Sequence, residues 1–242
     1  MDKIYSHPKS LRNVSTHYCA GCGHSMLHKL VAQVIDELDI REKIIAVAPV
    51  GCAVVAYDYW DFDCSESAHG RAMAVATAIK RLRPENIVFT YQGDGDLAAI
   101  GTAETLHAAN RGENITVIFV NNAIYGMTGG QMAPTTLTGQ KTATTINGRD
   151  PQSEGYPLKI SEILATLKAV KYVERVAVHD AAHIIKTKSA IKEAFLNQIN
   201  GVGFSLVEVL SPCPTYWGMP PVKAAAWVKD EMTKEFPLGR LK

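Results

Sequence analysis

The chain has 242 residues, 47% hydrophobic and 20% charged, and its 25 Lys and Arg nearly balance its 24 Asp and Glu, for a net charge of +1. This composition excludes a disordered chain, which would be poorer in apolar residues, and argues against a nucleic-acid binder, which usually carries a basic excess. Because no apolar stretch approaches the ~20 residues of a membrane helix and residues 1–15 lack the apolar core of a secretory signal, we expect a cytoplasmic protein that binds no membrane.

Short runs rich in Val and Ile alternate along the chain with longer segments whose apolar residues recur at helical spacing. In chain order, the pattern predicts a helix over 25–38, a strand over 44–50, a helix over 72–82, a strand over 87–91, a helix over 97–109, a strand over 115–120, a helix over 160–167, a strand over 170–178, a helix over 181–199 and a strand over 204–210. The predicted strands are apolar on both faces, as strands of a parallel sheet covered on both sides must be. We therefore predict a single α/β domain over 1–242, with a mostly parallel sheet and helices on both faces.

Residues 126–157 form the longest stretch without clear periodicity, and they are rich in Gly and Thr. A loop of this length inside a compact domain is more often functional than not. We therefore expect residues 126–157 to form a loop that contacts a cofactor or substrate.

A glycine-rich turn joins the predicted strand 87–91 to the predicted helix 97–109. Its residues are Gly93, Asp94, Gly95 and Asp96. Backbone N–H groups and the helix dipole at such a turn favour a bound phosphate. Since Gly93, Gly95 and Ala98 also fit the dinucleotide fingerprint G-x-G-x-x-A, an NAD-linked Rossmann dehydrogenase is the first alternative.

Two features argue against the dinucleotide alternative. Asp94 would set a carboxylate beside the pyrophosphate, and the predicted strand 115–120 ends in Asn121 and Asn122 where an acidic residue should hold a ribose. A divalent metal accounts for both, because Asp94 and Asn122 would offer oxygen ligands from two strand ends to Mg²⁺ bound to a diphosphate. In a purely structural alternative, Asp94 caps the helix and the two asparagines form a turn.

The five cysteines divide into one C-x-x-C pair and three single residues. The pair is Cys19 and Cys22, Cys52 and Cys213 each follow a predicted strand, and Cys64 stands alone. A chain without an export signal favours metal or redox chemistry over disulfides. Structural Cys₄ zinc sites usually pair two short knuckles, whereas a [4Fe–4S] cluster tolerates scattered ligands, so the spacing favours a cluster and leaves zinc as the alternative.

Gly93-Asp94-Gly95 followed by Asn121-Asn122 resembles the thiamine diphosphate motif that begins GDG and ends NN. Residues 125–131, YGMTGGQ, resemble the YGxTGGQ segment of the β subunits of 2-oxoacid:ferredoxin oxidoreductases, and residues 69–71 resemble that family's HGR segment. The segments CAGCG, GC and CP, which contain the pair and the two cysteines after strands, match its four cluster positions. The resemblance extends over 19–217 and implies a thiamine diphosphate-binding fold.

The resemblance also implies site residues. It implies that the Asp94 carboxylate, the Asn122 side chain and the Ile124 main-chain carbonyl hold Mg²⁺, with Asn121 beside these ligands. It implies a [4Fe–4S] cluster on Cys19, Cys22, Cys52 and Cys213. The cofactor-binding residues that it implies are Gly93, Asp94, Gly95, Asp96, Asn122, Ile124, Tyr125, Gly126 and Met127. Cys64 has no counterpart in the family, so we expect it to be a buried free thiol.

Two histidines are catalytic candidates because of where they stand in these motifs. His24 directly follows the C-x-x-C-G turn, and His69 opens the segment that lies near the cofactor in the resembled family. Each has a structural alternative: His24 starts the predicted helix 25–38, and His69 caps the predicted helix 72–82.

The activity that the resemblance implies is thiamine-dependent oxidative decarboxylation of a 2-oxoacid to acyl-CoA and CO₂, with electrons passed through the cluster to ferredoxin. A noncatalytic iron–sulfur or zinc subunit is the second alternative. In this superfamily, the carboxylate that activates the aminopyrimidine belongs to a separate, similarly folded domain. Because we find no second Gly-Asp turn or set of strands here, we expect an α-type partner subunit and activity only in the hetero-oligomer.

The sequence carries one weak indication of substrate choice. Residues 53–56, AVVA, follow the cysteine after the first strand and are apolar, and Met127 lies in the predicted loop. If they line the pocket, they favour an aliphatic acid such as 2-oxoisovalerate, since burial of an unpaired carboxylate is costly. The alternative, that they are core residues, is the stronger one, and 2-oxoglutarate remains open because a partner subunit's arginine could pair with its second carboxylate.

Overall fold

A seven-stranded sheet forms the centre of residues 6–242, the part of the chain that the computed structural model describes. The strands are β1 (Ile44–Pro49), β2 (Asp63–Ser67), β3 (Ile87–Gly93), β4 (Thr116–Asn121), β5 (Tyr172–Ala177), β6 (Ser205–Leu210) and β7 (Gly239–Arg240). Their order across the sheet is β2-β1-β3-β4-β6-β5-β7. Strands β1 to β6 pair in parallel, and β7 is antiparallel to β5. The prediction of a mostly parallel sheet is therefore confirmed.

Helices connect these strands and cover the sheet. The α-helices are α1 (Gly23–Glu37), α2 (Ala72–Leu82), α3 (Thr102–Arg111), α4 (Pro151–Glu154), α5 (Ile160–Thr166), α6 (Ala181–Ile199), α7 (Pro214–Trp217), α8 (Pro221–Trp227) and α9 (Thr233–Glu235). Two 3₁₀ turns lie at Arg41–Lys43 and Val54–Asp58, and two π-helical turns at Asp96–Ile100 and Val228–Met232. Between residues 6 and 242, none of the helices combines the length and the apolarity needed to cross a membrane.

Two apolar cores, one on each face, hold the helices against the sheet. Helices α1 and α6 pack with Phe89 and Ile118 on one face, and α2, α3 and α5 pack with Val88 and Val117 on the other. Consecutive residues of a strand point to opposite faces, which is why the central strands are apolar throughout. Helices therefore cover both faces, as the alternating pattern predicts.

Two strands were missed, and one predicted helix is wrong at its start. Strand β2 is a polar edge strand, and β7 has only two residues, so neither shows an apolar run. The predicted helix 97–109 is divided in the structure, because the N–H of Gly101 bonds to Asp96 O at 2.8 Å and closes a π-helical turn before α3 begins. A side chain at position 101 would come within 2.8 Å of the Gly70 carbonyl oxygen, which explains the glycine there.

The carboxyl ends of β1, β3, β4 and β6 lie at one edge of the sheet, and the segments that follow them contain the cysteine, glycine and asparagine motifs. The predicted loop 126–157 crosses this edge with α4 as its one helical turn. Its main anchor is the buried Arg149, whose guanidinium donates to five backbone carbonyls. These belong to Pro134, Thr136, Glu154, Gly155 and Tyr156. The long loop is therefore an ordered part of the site edge.

Candidate functional site

Asp94 is a buried carboxylate at the end of β3. It is 3% exposed, and its two oxygens accept hydrogen bonds from the N–H of Gly95 at 2.8 Å and the hydroxyl of Thr135 at 2.7 Å. Burial raises the pKa of Asp94 to about 6, against the opposing effect of these donors and of the nearby N–H groups of Ile124 and Ala123. A cation beside this carboxylate would favour its ionised form.

The two asparagines at the end of β4 have different roles. Asn121 points into the protein, donates to Glu208 Oε1 at 2.7 Å and accepts from the N–H of Ala123 at 3.2 Å. Asn122 lines the adjacent cleft, and its side-chain oxygen accepts only a long hydrogen bond of 3.3 Å from Ile124 N. Asn121 therefore shapes the turn, and Asn122 is the member of the pair that offers an oxygen to the cleft.

The turn after the asparagines has an uncommon backbone conformation. Ala123 has a φ of +56°, a left-handed conformation that is uncommon outside glycine. Its carbonyl accepts from the hydroxyl of Thr136 at 2.7 Å and from Gln140 Nε2 at 3.1 Å. The long loop therefore holds the turn that presents Asn122 and Ile124, and the two donors lie 13 and 17 residues after Ala123 in the sequence.

A cleft opens at this edge. Its lining residues are His24, Val50, Gly51, Cys52, Ala53, His69, Gly93, Asp94, Gly95, Asp96, Asn122, Ile124, Tyr125, Gly126, Met127 and Thr128. All nine cofactor-binding residues predicted from the sequence are among them. Gly93 leaves open space where a side chain would stand. Carboxylate, amide and main-chain oxygens are the donors that Mg²⁺ prefers, so Asp94, Asn122 and Ile124 fit that ion.

The Tyr125 ring lines the cleft and packs against Gly95. A Cβ at Gly95 would lie 1.9 Å from the Tyr125 ring, whose hydroxyl donates to Gly95 O at 3.4 Å. The Tyr125 N–H donates to Gln131 O at 3.0 Å, and the Gly130 N–H donates back to Tyr125 O at 2.9 Å. The YGMTGGQ segment is therefore a closed turn packed on the glycine motif, and a larger residue at position 95 would displace it.

His69 lines the cleft and contacts the buried carboxylate of Asp96. The Asp96 carboxylate, 2% exposed, lies 2.6 Å from His69 Nδ1 and accepts hydrogen bonds of 2.6 Å from the Gly70 N–H and Gln92 Nε2. Helix α2 has Arg71 at its N-cap without a side-chain cap bond, so the alternative of His69 as a helix cap is wrong. Asp94 likewise makes no cap bond to the following turn, whose N-cap is Gly95.

The four cysteines predicted as cluster ligands line a second space beside the cleft. Cys19 and Cys22 are joined by a turn in which the Cys22 N–H donates to Cys19 O at 3.0 Å. A Cβ on Gly126 would lie 3.3 Å from the Sγ of Cys52 and 3.6 Å from the Sγ of Cys213. The structure thus brings together thiols from the N-terminal segment, the end of β1 and the end of β6.

Burial favours the protonated form of three of these thiols, Cys22, Cys52 and Cys213, when no cation is bound. It raises the pKa of Cys22 and of Cys213 to about 12 and also raises that of Cys52. Coulombic repulsion among the four sulfur positions acts in the same direction. A bound metal centre reverses this balance because coordinating thiols are deprotonated.

His24 lies in the wall between the two spaces and lines both. It is 2% exposed, its Nδ1 lies 2.7 Å from the Tyr91 hydroxyl, and its ring stacks on Tyr18 with the centroids 5.1 Å apart. Tyr18 in turn donates from its hydroxyl to Cys52 O at 2.7 Å. Burial lowers the pKa of His24 to about 4, so the ring is neutral near pH 7. His24 is also the second residue of α1, so it starts that helix as the structural alternative has it, and its catalytic role stays a prediction.

Sequence reasoning missed several residues that support the site. Thr135 and Arg149 lie in a loop without periodicity, Gln92 and Tyr91 look like ordinary strand residues, and Tyr18 precedes the cysteine pair. Four of them are identified only by their contacts in the structure. For Tyr18, its position next to the C-x-x-C pair was a local signal that could have been used.

The remaining predicted residues are divided between cleft and core. Cys64 lies in β2, is partly buried against the core of the α1 face, and burial raises its pKa to about 12. Ala53 lines the cleft, whereas Ala56 is fully buried in the core. Met127 is 46% exposed and lines both spaces. The apolar segment after Cys52 therefore contributes only its first residue to the cleft.

Comparison with known proteins agrees with this geometry. The family described as "Thiamine pyrophosphate enzyme, C-terminal TPP binding domain" matches residues 50–209. The chain is 50% identical to the ketoisovalerate oxidoreductase subunit VorA of Methanothermobacter thermautotrophicus, over 98% of the chain and 52% of that relative. It is 39% identical to the 2-oxoglutarate synthase subunit KorB of Methanocaldococcus jannaschii, over 83% of the chain and 70% of that relative.

A solved structure has the same fold. It is a 2-oxoglutarate:ferredoxin oxidoreductase from Magnetococcus marinus with 2-oxoglutarate, coenzyme A and succinyl-CoA bound, and it aligns with a TM-score of 0.76 and 30% identity over 88% of this chain and 70% of that one. The expected thiamine diphosphate-binding fold is therefore confirmed. The chain spans about half the length of the VorA relatives, 52% in each case.

Proposed function

The chain belongs to the family of thiamine diphosphate-binding subunits of 2-oxoacid:ferredoxin oxidoreductases, and from this we propose that it is the catalytic subunit of such an enzyme. The proposed reaction is oxidative decarboxylation of a 2-oxoacid to acyl-CoA and CO₂, with electrons passed through a [4Fe–4S] cluster to ferredoxin. The solved relative was captured with 2-oxoglutarate, coenzyme A and succinyl-CoA, which supports the choice of acyl acceptor.

One observation carries the proposal: the cleft and the four-cysteine space share a wall. The shared lining residues are His24, Cys52, Asn122, Gly126 and Met127. A nonoxidative decarboxylase has no use for an electron acceptor beside its cofactor. An electron-transfer subunit without catalysis has no use for a diphosphate cleft. The arrangement of both in one domain favours an enzyme in which electrons leave directly from the reaction centre.

In the cleft, Asp94, the Asn122 side chain and the Ile124 carbonyl would hold Mg²⁺, and the cofactor's diphosphate would bind at the glycine turn. Thiamine diphosphate, when bound, supplies the carbon centre that makes decarboxylation of a 2-oxoacid possible. Gly93 gives the diphosphate room, and Thr135 and the turn at Ala123 keep the metal ligands oriented. Residues 126–128 of the loop line the cleft and would contact the bound cofactor, and Tyr125, just before them, packs against Gly95.

In the second space, Cys19, Cys22, Cys52 and Cys213 would hold the cluster. Sulfur ligands of a single zinc ion lie about 3.8 Å apart, given Zn–S bonds of about 2.3 Å. Among residues 6–242, the only three His, Cys, Asp or Glu side chains whose ligand atoms all lie within 4.8 Å of one another are His179, Asp180 and His183. The four thiols are thus spaced more widely than one zinc ion requires, which favours a cluster.

The two cleft histidines would act on the substrate side. His24 is buried and neutral, with one ring nitrogen at Tyr91, so its other nitrogen is available to the cleft. His69 is held by Asp96. Both are positioned to exchange hydrogen bonds with a bound 2-oxoacid or its product.

The substrate that the cleft fits best is a 2-oxoacid with an aliphatic side chain. The described residues that line the two spaces include neither Lys nor Arg, and Ala53, Val50 and Met127 are apolar. A second carboxylate, as in 2-oxoglutarate, would therefore find no cationic partner from these residues. The similarity to relatives named ketoisovalerate oxidoreductase subunits supports this choice.

We further propose that the aminopyrimidine half of the cofactor is bound by an α-type partner subunit. The relatives are named as subunits, and the cleft opens to the surface at the sheet edge. The test is anaerobic turnover of 2-oxoisovalerate and 2-oxoglutarate, with coenzyme A and ferredoxin, by the assembled enzyme and by the isolated chain loaded with all three cofactors.

We expect turnover only by the assembled enzyme, with a higher kcat/KM for 2-oxoisovalerate. Turnover by the isolated chain would overturn the proposed partner, and a preference for 2-oxoglutarate would overturn the proposed substrate. If the assembled enzyme carries out nicotinamide-dependent turnover instead, or binds a cluster without thiamine diphosphate, the proposed reaction itself is wrong.

A further inference from the structure

A second group of metal-ligating side chains lies outside the catalytic cleft, at the junction of β5 and α6. We propose that His179, Asp180 and His183 bind a divalent transition-metal ion, Zn²⁺ by their chemistry, that joins the end of β5 to the first turn of α6. This site does not depend on the proposed catalytic function. None of its residues lines the cleft or the four-cysteine space.

The three side chains already converge on one point. One ligand atom from each lies within 4.8 Å of the other two. His179 Nε2 is 3.2 Å from Asp180 Oδ2, and His183 Nδ1 is 2.8 Å from Asp180 Oδ1. Ligand atoms of a tetrahedral zinc ion lie about 3.3 Å apart, given bonds of about 2.0–2.1 Å. The observed separations therefore need only small shifts of the side chains around an ion.

His179 provides evidence beyond the position of Asp180 at a helix start. Its side chain is only 3% exposed, and its Nε2 faces Asp180 Oδ2 at 3.2 Å. The same ring is aimed at Asp180 and lies over His183, with the ring centroids 4.1 Å apart. Two imidazole nitrogens directed at one carboxylate, one of them on a buried side chain, are more than a helix cap requires.

The cap itself uses only one carboxylate oxygen. Asp180 is the N-cap of α6, and its Oδ1 accepts from the N–H of His183 at 2.9 Å. The other oxygen faces His179. An ion can therefore bind without breaking the cap, and it would replace the present contact between His183 Nδ1 and Asp180.

The donor set determines which ion is expected. Two imidazole nitrogens and one carboxylate oxygen suit zinc and its neighbours, whereas Mg²⁺ and Ca²⁺ prefer oxygen ligands throughout. A neutral imidazole has one unprotonated ring nitrogen, and on His179 the nitrogen that faces Asp180 is Nε2. Lys229 and Asp230, on the π-helical turn at Val228–Met232, exert opposing electrostatic effects on His179.

The test is zinc titration by isothermal calorimetry of the full chain after its four-cysteine site has been loaded with a cluster, so that those thiols do not compete. We expect one zinc site in the parent chain, and binding weaker by about 10-fold or more in His183→Ala and in Asp180→Asn. Asn is itself a favoured N-cap residue, so Asp180→Asn removes the ligand charge and retains the cap. His107→Ala, at an exposed histidine on α3, is the matched control and should bind zinc as the parent does.

Thermal unfolding supplies a second readout that does not depend on activity. Zinc should raise the Tm of the parent and of His107→Ala, because a ligand that binds only the folded chain stabilises it. It should leave the Tm of the two site variants unchanged. Equal zinc affinity in the parent and in both site variants would overturn the proposal, as would a parent that binds zinc no more tightly than millimolar.

Discussion

The Thr135 hydroxyl donates a hydrogen bond of 2.7 Å to the Asp94 carboxylate, and the two residues are 41 positions apart in sequence. Both are buried. This hydrogen bond joins the long loop to the end of β3 at Asp94, which we propose as a magnesium ligand. Loop conformation and cofactor affinity should therefore depend on each other.

Thr135→Val removes this hydroxyl and keeps the shape of the side chain. Loss of a hydrogen bond that orients a metal ligand typically weakens metal binding by about 10- to 100-fold, and we expect this loss for Mg²⁺-thiamine diphosphate. Calorimetry on the full chain measures it. Thr187→Val is the matched control, because Thr187 is equally buried and bonds to Ala177 O at 2.9 Å, remote from the cleft. Equal affinities in the two variants would refute the role of Thr135.

Tyr91→Phe should disturb the orientation of His24. The Tyr91 hydroxyl is 2.7 Å from His24 Nδ1, and without it the imidazole loses the contact that selects one tautomer. We expect kcat of the assembled enzyme to fall by about 10-fold or more. Ring ¹⁵N shifts of His24 should change from one tautomer to a mixture.

The control for this variant is Tyr172→Phe, which removes a phenol hydroxyl bonded to Glu174 at 2.6 Å. Each variant should lower the free energy of unfolding by about 1 kcal/mol. Only Tyr91→Phe should alter turnover. If both variants reduced kcat equally, the effect would be one of stability, and Tyr91 would have no positioning role.

Two glycine variants should distinguish cofactor binding in the cleft from cluster binding in the four-cysteine space. A Cβ on Gly126 would press on the Sγ of Cys52 at 3.3 Å and contact that of Cys213 at 3.6 Å, whereas a Cβ on Gly93, which lines the cleft, would meet no protein atom within 4 Å. We expect Gly126→Ala to lower the iron and sulfide content more than it weakens the binding of thiamine diphosphate. Gly93→Ala should show the reverse. Loss of both groups in either variant would contradict this division.

Cys64 should be a slow nucleophile with an unusual pH dependence. Burial raises its pKa to about 12, so its thiolate fraction at pH 8 is about 10³-fold below that of an ordinary cysteine. In the cluster-loaded chain, the rate of Cys64 alkylation by iodoacetamide should keep rising with pH up to about 12. Peptide mass spectrometry measures this rate, with the urea-unfolded chain as the control. Rapid alkylation that levels off near pH 8.5 would contradict the prediction.

The strand pattern was sufficient to predict the edge at which the site lies. Apolar runs locate β1, β3, β4 and β6 to within two residues, and in a parallel sheet their carboxyl ends must meet at one edge. The residues directly after those ends therefore come together: Cys52, Asp94, Asn122 and Cys213. The polar edge strand β2 escaped prediction because its pairing with β1 leaves no apolar signature.

The contacts that orient the site could not be predicted, because they join distant segments through single side chains. Thr135 meets Asp94 across 41 positions, and Tyr91 meets His24 across 67. No pattern or motif in the sequence links Thr135 to Asp94 or Tyr91 to His24. The division of labour between Asn121 and Asn122 likewise depends on Glu208, which lies 87 residues further along the chain.

The central claim is that one chain holds a diphosphate cofactor and a [4Fe–4S] cluster in adjoining spaces, and metal and cofactor analysis of anaerobically purified protein tests it most directly. We predict about four iron and about four sulfide per chain, with thiamine diphosphate bound, in the parent and in Cys64→Ser. Cys52→Ser should lose most of the iron and sulfide. Zinc in place of iron, no thiamine diphosphate, or equal iron in Cys52→Ser and Cys64→Ser would contradict the account.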